Sequence, residues 1–535
     1  MKRLLVIILG LSVIGHALAN EASDDLAEVS IGERLFLETR FAQAYYVKPD
    51  KADPVMNKTV MATKNLKGPF AGQTMNCRAC HLVDEFAEHS DGGTRTYADY
   101  ALQSPIPGRN DGNVKTGRNS MSLVNIAVSL KEGEVFHFDG EFNTMEDLVK
   151  GTLTGRNYGW KATEYSAAIK HIANIIRNDD GKGELANEFG GRYAKVFAGS
   201  DNNIPLKFRL PNEYRIDVSK SNDEQIVALV SKLISVYVTG LTFSQDEQGI
   251  YNGSPYDAFL KKNNLPRKPL MNESLASYSQ RLLRAVNKIK RPDFITGKKE
   301  SFKTHNQSYV FGERELNGMK LFFTKGNKMK AGGNCISCHS APHFSDYKFH
   351  NTGLTQHNYD NTHGKDTFNK LKIPNTEKRN NNYNAYLPST VKHPQARSRF
   401  RNLIAKNKPG FVDLGLWNVI ANPDMPGPQK KLKKILCEQV KKKGSKNCQI
   451  DNLLRQSIAS FKTPVLRDLG HSAPYMHTGQ FNDLKKAIDF YISSSAASRH
   501  NKVRNGDEKL NDIYISPKHS GALVAFIHSL NEDYE

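Results

Sequence analysis

Cysteine and tryptophan are scarce in this chain. Its 535 residues include six cysteines and two tryptophans. So few cysteines exclude the small, disulfide-dense scaffolds of secreted proteins. The length also excludes a single compact core, because cores stop growing at about 250–300 residues. We therefore expect two domains that carry insertions.

Long apolar runs are equally rare, and the clearest one lies at the N-terminus, over residues 4–15. A short basic start precedes it, and the small-x-small sequence Ala17-Leu18-Ala19 closes it. This pattern predicts a secretory signal peptide over residues 1–19, with the mature protein beginning near Asn20. The alternative is an uncleaved anchor, although the run is short for a bilayer. We expect an exported, periplasmic protein with no membrane span.

Acidic residues are outnumbered by basic ones, 55 to 75, which gives a formal net charge of +20. A basic exported protein could bind nucleic acid, an anionic membrane or an acidic protein. The sequence contains no nucleic-acid-binding motif, and nucleic acid is a poor partner outside the cytoplasm. The charge therefore favours an acidic protein partner.

Four of the six cysteines stand in two motifs of the form Cys-x-x-Cys-His, which are Cys77, Cys80 and His81, and Cys335, Cys338 and His339. Two thiols at this spacing on a short helical turn reach the two vinyl groups of one haem, and the following histidine binds the iron. The alternative is a zinc or thiol-redox pair, which leaves both histidines unexplained. The motifs predict two covalently bound haem c groups, with His81 and His339 as iron ligands.

The remaining cysteines are Cys437 and Cys448. In an oxidising compartment, two cysteines that close a short loop are most simply a disulfide. Two free thiols, or a metal site, are the alternatives.

The two haem motifs share their surroundings. Leu-Phe pairs precede both motifs, and the similar blocks 136–143 and 475–482 follow them. Each block enters an amphipathic helix, over 145–153 in the first half and 484–492 in the second. The repeat predicts a mostly α fold of two c-type cytochrome domains with long loops, each domain formed around one covalent haem.

The repeat also suggests where the domains divide. We expect the N-terminal cytochrome domain over residues 20–215 and the C-terminal one over residues 216–535. A helix over 223–243 would open the second half. Polar segments near 244–308 and 355–450 are expected to be insertions into the C-terminal domain.

Several blocks follow one another in a familiar order: Leu35-Phe36, 77–81, Asp139-Gly140, 335–339 and 463–479. Their order resembles that of the bacterial dihaem cytochrome c peroxidase and MauG family, over most of the mature chain except the two insertions. The resemblance implies a peroxide-reactive haem in the N-terminal domain and a haem that stores or relays electrons in the C-terminal domain.

The distal ligand of the second haem follows from the same resemblance. The peroxidases place a methionine seventeen residues after the proline of the Pro-Tyr/Phe-x-His motif, and here Tyr491 stands seventeen residues after Pro474. The MauG branch has tyrosine at this place. An anionic oxygen ligand stabilises ferric iron and lowers its potential. Met476 is the rival ligand, and a role for Tyr491 as a core aromatic is the other alternative.

The first haem is expected to have an open distal side. The repeat matches Tyr491 with Thr152, a poor haem ligand, and the place of the family's distal histidine is occupied by Asp111. His89 is an alternative ligand if its loop folds over the haem. An open position would admit peroxide or dioxygen.

The catalytic residue of the first haem is not fixed by the resemblance. The family's inter-haem tryptophan is replaced by Phe138, and the glutamine and glutamate of its distal pocket by Leu148 and Tyr158. Cleavage of a bound peroxide needs a group that moves a proton between its oxygens. Five side chains near these positions could supply that group, and they are Tyr158, Arg156, His137, Glu146 and Asp147. The alternative for each is a structural or solvated role.

A calcium ion between the domains is a further implication of the resemblance. Asn119, Ser472 and Pro474 occupy the matching places. Backbone and amide oxygens suit this hard cation. Asparagine and proline also have ordinary roles in loops.

The resemblance implies a cytochrome-c-peroxidase-like enzyme that uses hydrogen peroxide and a small electron-donor protein, such as a cytochrome c or a cupredoxin. The lysine-rich segment around Cys437 is a candidate docking surface for an acidic donor, or a solvated face. Two alternatives stay open. One is a dihaem electron carrier without peroxidase activity, and the other is a MauG-like enzyme or oxygenase that oxidises a partner protein or an organic substrate.

Overall fold

A computed structural model describes residues 26–47, 49, 76–77, 80–81, 106–109, 116–126, 135–297, 302, 307–442 and 448–532. The predicted signal peptide, His89 and Asp111 lie outside these residues. The described part is mostly helical, as the sequence predicts, and no helix in it is both long and apolar enough to cross a membrane.

Helices in the first part of the chain, in order, are α1 (Ala27–Leu37), α2 (Gln43–Val47), α3 (Met145–Leu153), α4 (Tyr165–Asn178), α5 (Glu184–Glu188), α6 (Tyr193–Ala198) and α7 (Asp223–Gly240). Those that follow are α8 (Pro255–Lys262), α9 (Leu275–Lys288), α10 (Glu313–Phe323), α11 (Leu354–His363), α12 (Thr376–Asn381), α13 (Tyr383–Tyr386), α14 (Gln429–Lys442), α15 (Ile450–Gln456), α16 (Leu484–Arg499) and α17 (Pro517–His528). Strands β1 (Phe349–His350) and β2 (Phe461–Lys462) pair antiparallel, with Phe349 opposite Lys462.

The first core lies where α1 crosses α7, with α3 and α4 packed against them. The crossing is close because Gly32 has no side chain, and a Cβ there would collide with the carbonyl oxygen of Leu233. Helix α7 therefore packs with the first half of the chain. The division into two domains stays a prediction, and this packing favours a boundary after Gly240 over one at residue 215.

The second half repeats the arrangement. Helix α10 crosses α17 at Gly318, where a Cβ would collide with the carbonyl oxygen of Ala522. In the sequence repeat, Gly318 is the counterpart of Gly32. The two crossings are thus built in the same way around one glycine each.

The insertions do not share one structure. Helices α8 and α9, from the segment near 244–308, add Tyr256, Phe259 and Tyr278 to the core of the second half. The segment near 355–450 instead has a hydrophobic core of its own, which includes the fully buried Trp417.

Candidate functional site: two haem-attachment segments and the junction between them

The first attachment segment holds its histidine in one orientation. The backbone N–H groups of Cys80 and His81 both donate to the carbonyl oxygen of Cys77, at 3.1 and 2.9 Å. The Nδ1 atom of His81 lies 2.7 Å from the carbonyl oxygen of Met121. A carbonyl can only accept, so Nδ1 carries the proton and Nε2 is left with a lone pair. Burial lowers the pKa of His81 to about 4, which keeps the ring neutral near pH 7.

The second segment has the same geometry, although the intervening residues differ. The N–H of His339 donates to the carbonyl oxygen of Cys335 at 2.8 Å, and its Nδ1 donates to the carbonyl oxygen of Phe344 at 3.0 Å. Burial lowers the pKa of His339 to about 4. Both histidines thus offer a neutral Nε2, which is the form that binds haem iron, and a backbone partner that fixes the ring.

The cysteine side chains of both segments suit the uncharged thioethers of haem c. Burial raises the pKa of Cys77 to about 11, and those of Cys80 and Cys335 to about 12. These sulfur atoms are therefore neutral near pH 7 in the protein without haem, and a thioether to haem would keep them uncharged.

A cavity of about 290 Å³ opens against the second segment. Its walls include Cys335, Cys338 and His339 together with Met476 and Tyr491. The cavity therefore lies where the attachment motif would place a haem. The structure brings both proposed distal ligands to it, so the choice between them stays open.

Tyr491 reaches this cavity along one face of α16. Leu484, Ala487 and Ile488 line the same cavity, and with Tyr491 they form the i, i+3, i+4, i+7 pattern of one helix face. Burial raises the pKa of the Tyr491 phenol above its ordinary value. Its deprotonation would therefore depend on a strong local cation such as ferric iron.

Two of the proposed catalytic side chains, Tyr158 and Arg156, are engaged in contacts near the first segment. The hydroxyl of the buried Tyr158 lies 3.2 Å from the sulfur of Cys77, and burial holds its pKa well above the ordinary value. The guanidinium of Arg156 donates to the carbonyl oxygen of Pro107 at 2.6 Å. Thr152, the counterpart of Tyr491, lies on α3 and is half-buried.

The third catalytic candidate, His137, occupies the same turn as Met476 in the other half. Both residues have positive φ, 68° and 72°. An isolated antiparallel bridge encloses each turn, Phe136 with Phe142 and Tyr475 with Phe481. The sequence repeat therefore corresponds to a repeated backbone conformation.

His137 belongs to a cluster of charges at the junction of the two halves. Its Nδ1 lies 3.3 Å from Glu141, and Arg401 lies 2.5 Å from the same carboxylate. Arg118 pairs with the fully buried Asp139 at 2.7 Å and with Asp413 at 2.6 Å. We call these six residues the junction cluster.

The junction cluster is close to charge balance. Burial alone would raise the pKa of Glu141, but the charge of Arg401 and the contact with His137 hold it well below its ordinary value. Burial would likewise raise the pKa of Asp413, but the charge of Arg118 holds it below its ordinary value. Three carboxylates therefore face two guanidiniums and one imidazole. The ring of His137 also lies near enough to His81 for its charge to lower the pKa of His81.

Sequence reasoning missed Arg118, Arg401 and Asp413. The last two come from the insertion near 355–450, far from the haem motifs in sequence. No local pattern marks them, and only the packing of the insertion against the first half brings them to His137.

Comparison with known proteins agrees with the sequence resemblance. No protein-family model matches the chain. Cytochrome-c peroxidase IdrP1 of Pseudomonas sp. (strain SCT) is 23% identical over 273 residues, covering 49% of this chain and 50% of that protein. The methylamine utilization protein MauG of Methylorubrum extorquens is 34% identical over 74 residues, covering 14% of this chain and 20% of MauG. The chain is a relative of the dihaem cytochrome c peroxidase and MauG family. It spans about half the length of the first curated relative it matches.

Solved structures from this family also resemble the chain. A MauG-like protein associated with microbial copper homeostasis aligns with 99% of this chain and 96% of its own, at 15% identity and a TM-score of 0.44. The diheme peroxidase BthA of Burkholderia thailandensis E264 aligns with 95% of this chain and 86% of its own, at 15% identity and a TM-score of 0.41.

Phe138 stands at the sequence position of the inter-haem tryptophan of the dihaem peroxidases. It lines the cavity against the second segment. The ring of His477 lies beside it, with centroids 6.5 Å apart, and stacks on Phe461 at 3.6 Å. Burial lowers the pKa of His477 to about 4. Phe138, Phe461 and His477 thus form an aromatic part of the wall of this cavity.

Two of the three proposed calcium residues meet directly. The side-chain amide of Asn119 donates to the carbonyl oxygen of Pro474 at 2.7 Å, and its backbone N–H donates to the carbonyl oxygen of His477 at 2.8 Å. The hydroxyl of Ser472 donates to the carbonyl oxygen of Asp468. The bonds of Asn119 join the two halves, and the calcium site implied by the family stays a prediction.

The predicted disulfide concerns residues far from both haem motifs in the chain. Cys437 lies in α14 and Cys448 just before α15. The bond between them stays a prediction.

Proposed function

We propose that the protein is an exported dihaem c-type oxidoreductase. In this proposal haem c is attached at Cys77 and Cys80 and at Cys335 and Cys338. Hydrogen peroxide reacts at the first haem, and the second relays electrons from a small acidic donor protein. The observation that carries the proposal is the shared geometry of His81 and His339, whose Nδ1 atoms are both fixed by backbone carbonyls.

Reduction of hydrogen peroxide to two water molecules takes up two electrons and two protons. The bound haem would supply the iron site at which the O–O bond is cleaved. The chain must supply a group that moves a proton between the two oxygens. We assign this role to His137, backed by Glu141.

Contacts of three of the five candidates support this choice, and the other two, Glu146 and Asp147, are exposed in the first turn of α3. The hydroxyl of Tyr158 is engaged with the attachment sulfur of Cys77, and Arg156 is held by a backbone carbonyl. The His137 side chain is 30% exposed and has a carboxylate partner, as an acid–base histidine needs.

Two specific observations favour other functions. The carboxylate of the family's distal pocket is replaced by Tyr158, which favours an electron carrier. Tyr491 lines the cavity against the second segment. A tyrosine at this position favours a MauG-like oxidation of a partner protein or an organic substrate.

Peroxide turnover by the purified full-length holoprotein separates the three functions. A peroxidase consumes peroxide only with a reduced cytochrome c or cupredoxin, at two electrons per peroxide. A carrier consumes none and shows two low-spin haems whose spectrum cyanide does not shift. A MauG-like enzyme consumes peroxide with an oxidisable substrate and no donor. Peroxide consumption equal to that of free haem would contradict the proposal.

A further inference from the structure

A second buried charge group lies beside the second haem-attachment segment. The His350 side chain, on β1, is 6% exposed. Its Nδ1 lies 2.6 Å from a carboxylate oxygen of Asp507, and its Nε2 lies 3.0 Å from one of Asp346. Both ring nitrogens therefore face acceptors.

This geometry requires the charged form of the ring. A neutral imidazole has one N–H and one lone pair, and the lone pair would be directed at a carboxylate. An imidazolium donates to both carboxylates in charge-assisted hydrogen bonds. Desolvation of the ring opposes this charge, but the neighbouring sulfur of Cys338 and the two carboxylates hold the pKa of His350 well above its ordinary value.

Lys509 completes the group. Its ammonium lies 3.1 Å from Asp346 and donates to the carbonyl oxygen of Ser337, inside the attachment motif, at 2.6 Å. Two cations thus balance two carboxylates. We call His350, Lys509, Asp346 and Asp507 the four-charge group.

The four-charge group is also joined to the attachment segment through the backbone. The N–H of Asp346 donates to the carbonyl oxygen of Cys338 at 2.7 Å, and the side chain of Asn334 donates to the carbonyl oxygen of Lys509 at 2.9 Å. His350, Asp507 and Lys509 line the same cavity as Cys338 and His339. Fixed charges therefore stand at the wall of the second haem site.

We propose that His350 and its partners Asp346, Asp507 and Lys509 set the oxidation–reduction balance of the second haem. The inference rests on the proposed function, because it needs a haem at this site. Ferric haem carries one more positive charge than ferrous haem. A nearby cation in a weakly polarisable surrounding disfavours the ferric form, whereas a nearby carboxylate favours it. His350 is thus a positioning and tuning residue rather than a catalytic one.

The direction of the expected shift in midpoint potential depends on the sign of the charge that a substitution removes. His350→Gln and Lys509→Met each remove a cation and should lower the midpoint potential of the second haem. Asp507→Asn removes a carboxylate and should raise it. Purely structural damage would not reverse sign with the charge removed. The matched control is His500→Gln, at the exposed end of α16, which should change neither potential.

The measurement is a spectroelectrochemical titration of the full-length holoprotein, with the haem content of each variant determined beforehand. Unchanged potentials, or shifts of the same sign in His350→Gln and Asp507→Asn, would overturn the inference. If His350→Gln loses its second haem, Lys509→Met and Asp507→Asn decide. A wild-type chain without two haems would instead refute the proposed function, so the two failures are distinguishable.

Discussion

The Nδ1 atom of His81 lies 2.7 Å from the carbonyl oxygen of Met121, and Met121 also lines the cavity against His339. One short segment of backbone therefore orients the proposed iron ligand of the first site and forms part of the wall of the second. The two sites share a structural element rather than standing apart.

The attachment cysteines should bind haem covalently. Wild-type protein should keep haem staining on a denaturing gel, and its mass should exceed that of the apo-chain by two haems. Cys80→Ala and Cys338→Ala should each weaken or remove one attachment, because one thioether remains at most. Extraction of haem from the wild type into acid-acetone would show that the attachment is not covalent.

Tyr491 should bind the iron of the second haem. Tyr491→Phe removes the phenolate that stabilises ferric iron, so the potential of the second haem should rise and its low-spin spectrum should change. The first haem should stay the same. The measurement is the ferric absorption or EPR spectrum with a redox titration.

Met476→Ala is the paired variant for this prediction, since Met476 lines the same cavity. It should leave the spectrum and the potentials unchanged. A spectrum that moves in Met476→Ala and not in Tyr491→Phe would identify Met476 as the ligand.

His137 should act as the acid–base group for peroxide. His137→Gln should lower peroxide turnover by about 10²-fold or more, the usual contribution of a positioned acid–base group. The substitution should leave the first haem bound to His81, so the haem content and the spectrum of the first haem should not change. Steady-state turnover with a reduced donor is the measurement.

His357→Gln is a suitable control for that experiment, because His357 is exposed on α11. Its turnover should equal that of the wild type. Turnover in His137→Gln at the wild-type rate would remove His137 from the mechanism.

Arg401 should be important for stability. Arg401→Gln leaves Glu141 without its closest cation. The pair is partly buried, with side-chain exposures of 22% and 17%, so the loss should be about 1–3 kcal/mol, the usual cost of leaving such a group unsatisfied. Denaturant unfolding at pH 7, followed by fluorescence, measures the loss. Arg397→Gln, four residues away and exposed, should change the free energy of unfolding little.

The same cluster gives a pH dependence. Glu141 and Asp413 have pKa values below their ordinary ones, so their contribution is present above the unfolded pKa of about 4 and is lost as the pH falls below it. The wild type should therefore lose stability between about pH 5 and pH 3 more steeply than Arg401→Gln does. Arg401 lowers the pKa of Glu141, whereas Arg118 lowers that of Asp413, so parallel curves would show that Glu141 is not stabilised by Arg401.

Local patterns in the sequence predicted much of this structure. The helix expected over 145–153 is α3, and the one expected over 484–492 is the first part of the longer α16. Both begin at an N-cap side chain, Thr144 and Asp483, so their starts are encoded locally. The backbone turn of the two motifs also follows from their spacing, whereas the ring of His81 is held by Met121, 40 positions away in the chain.

The charge groups could not be predicted in the same way. Arg118 and Asp413 are 295 positions apart in the chain, and His350 is 157 positions from Asp507. A lone arginine or histidine has no sequence period that marks its partner. Only the packing of the second half and its insertion brings these side chains together.

The glycines at the two helix crossings have a consequence for folding. Gly32 and Gly318 open equivalent gaps, so shape alone would let α1 pair with α17 as well as with α7. Partner choice must come from other side chains. Arg34, fully buried beside Gly32, pairs with Asp179, whereas its counterpart Lys320 is half-buried. If α1 paired with α17, the buried guanidinium of Arg34 would lose the carboxylate of Asp179. An unpaired buried charge is costly, and this cost favours the native pairing over a domain-swapped one.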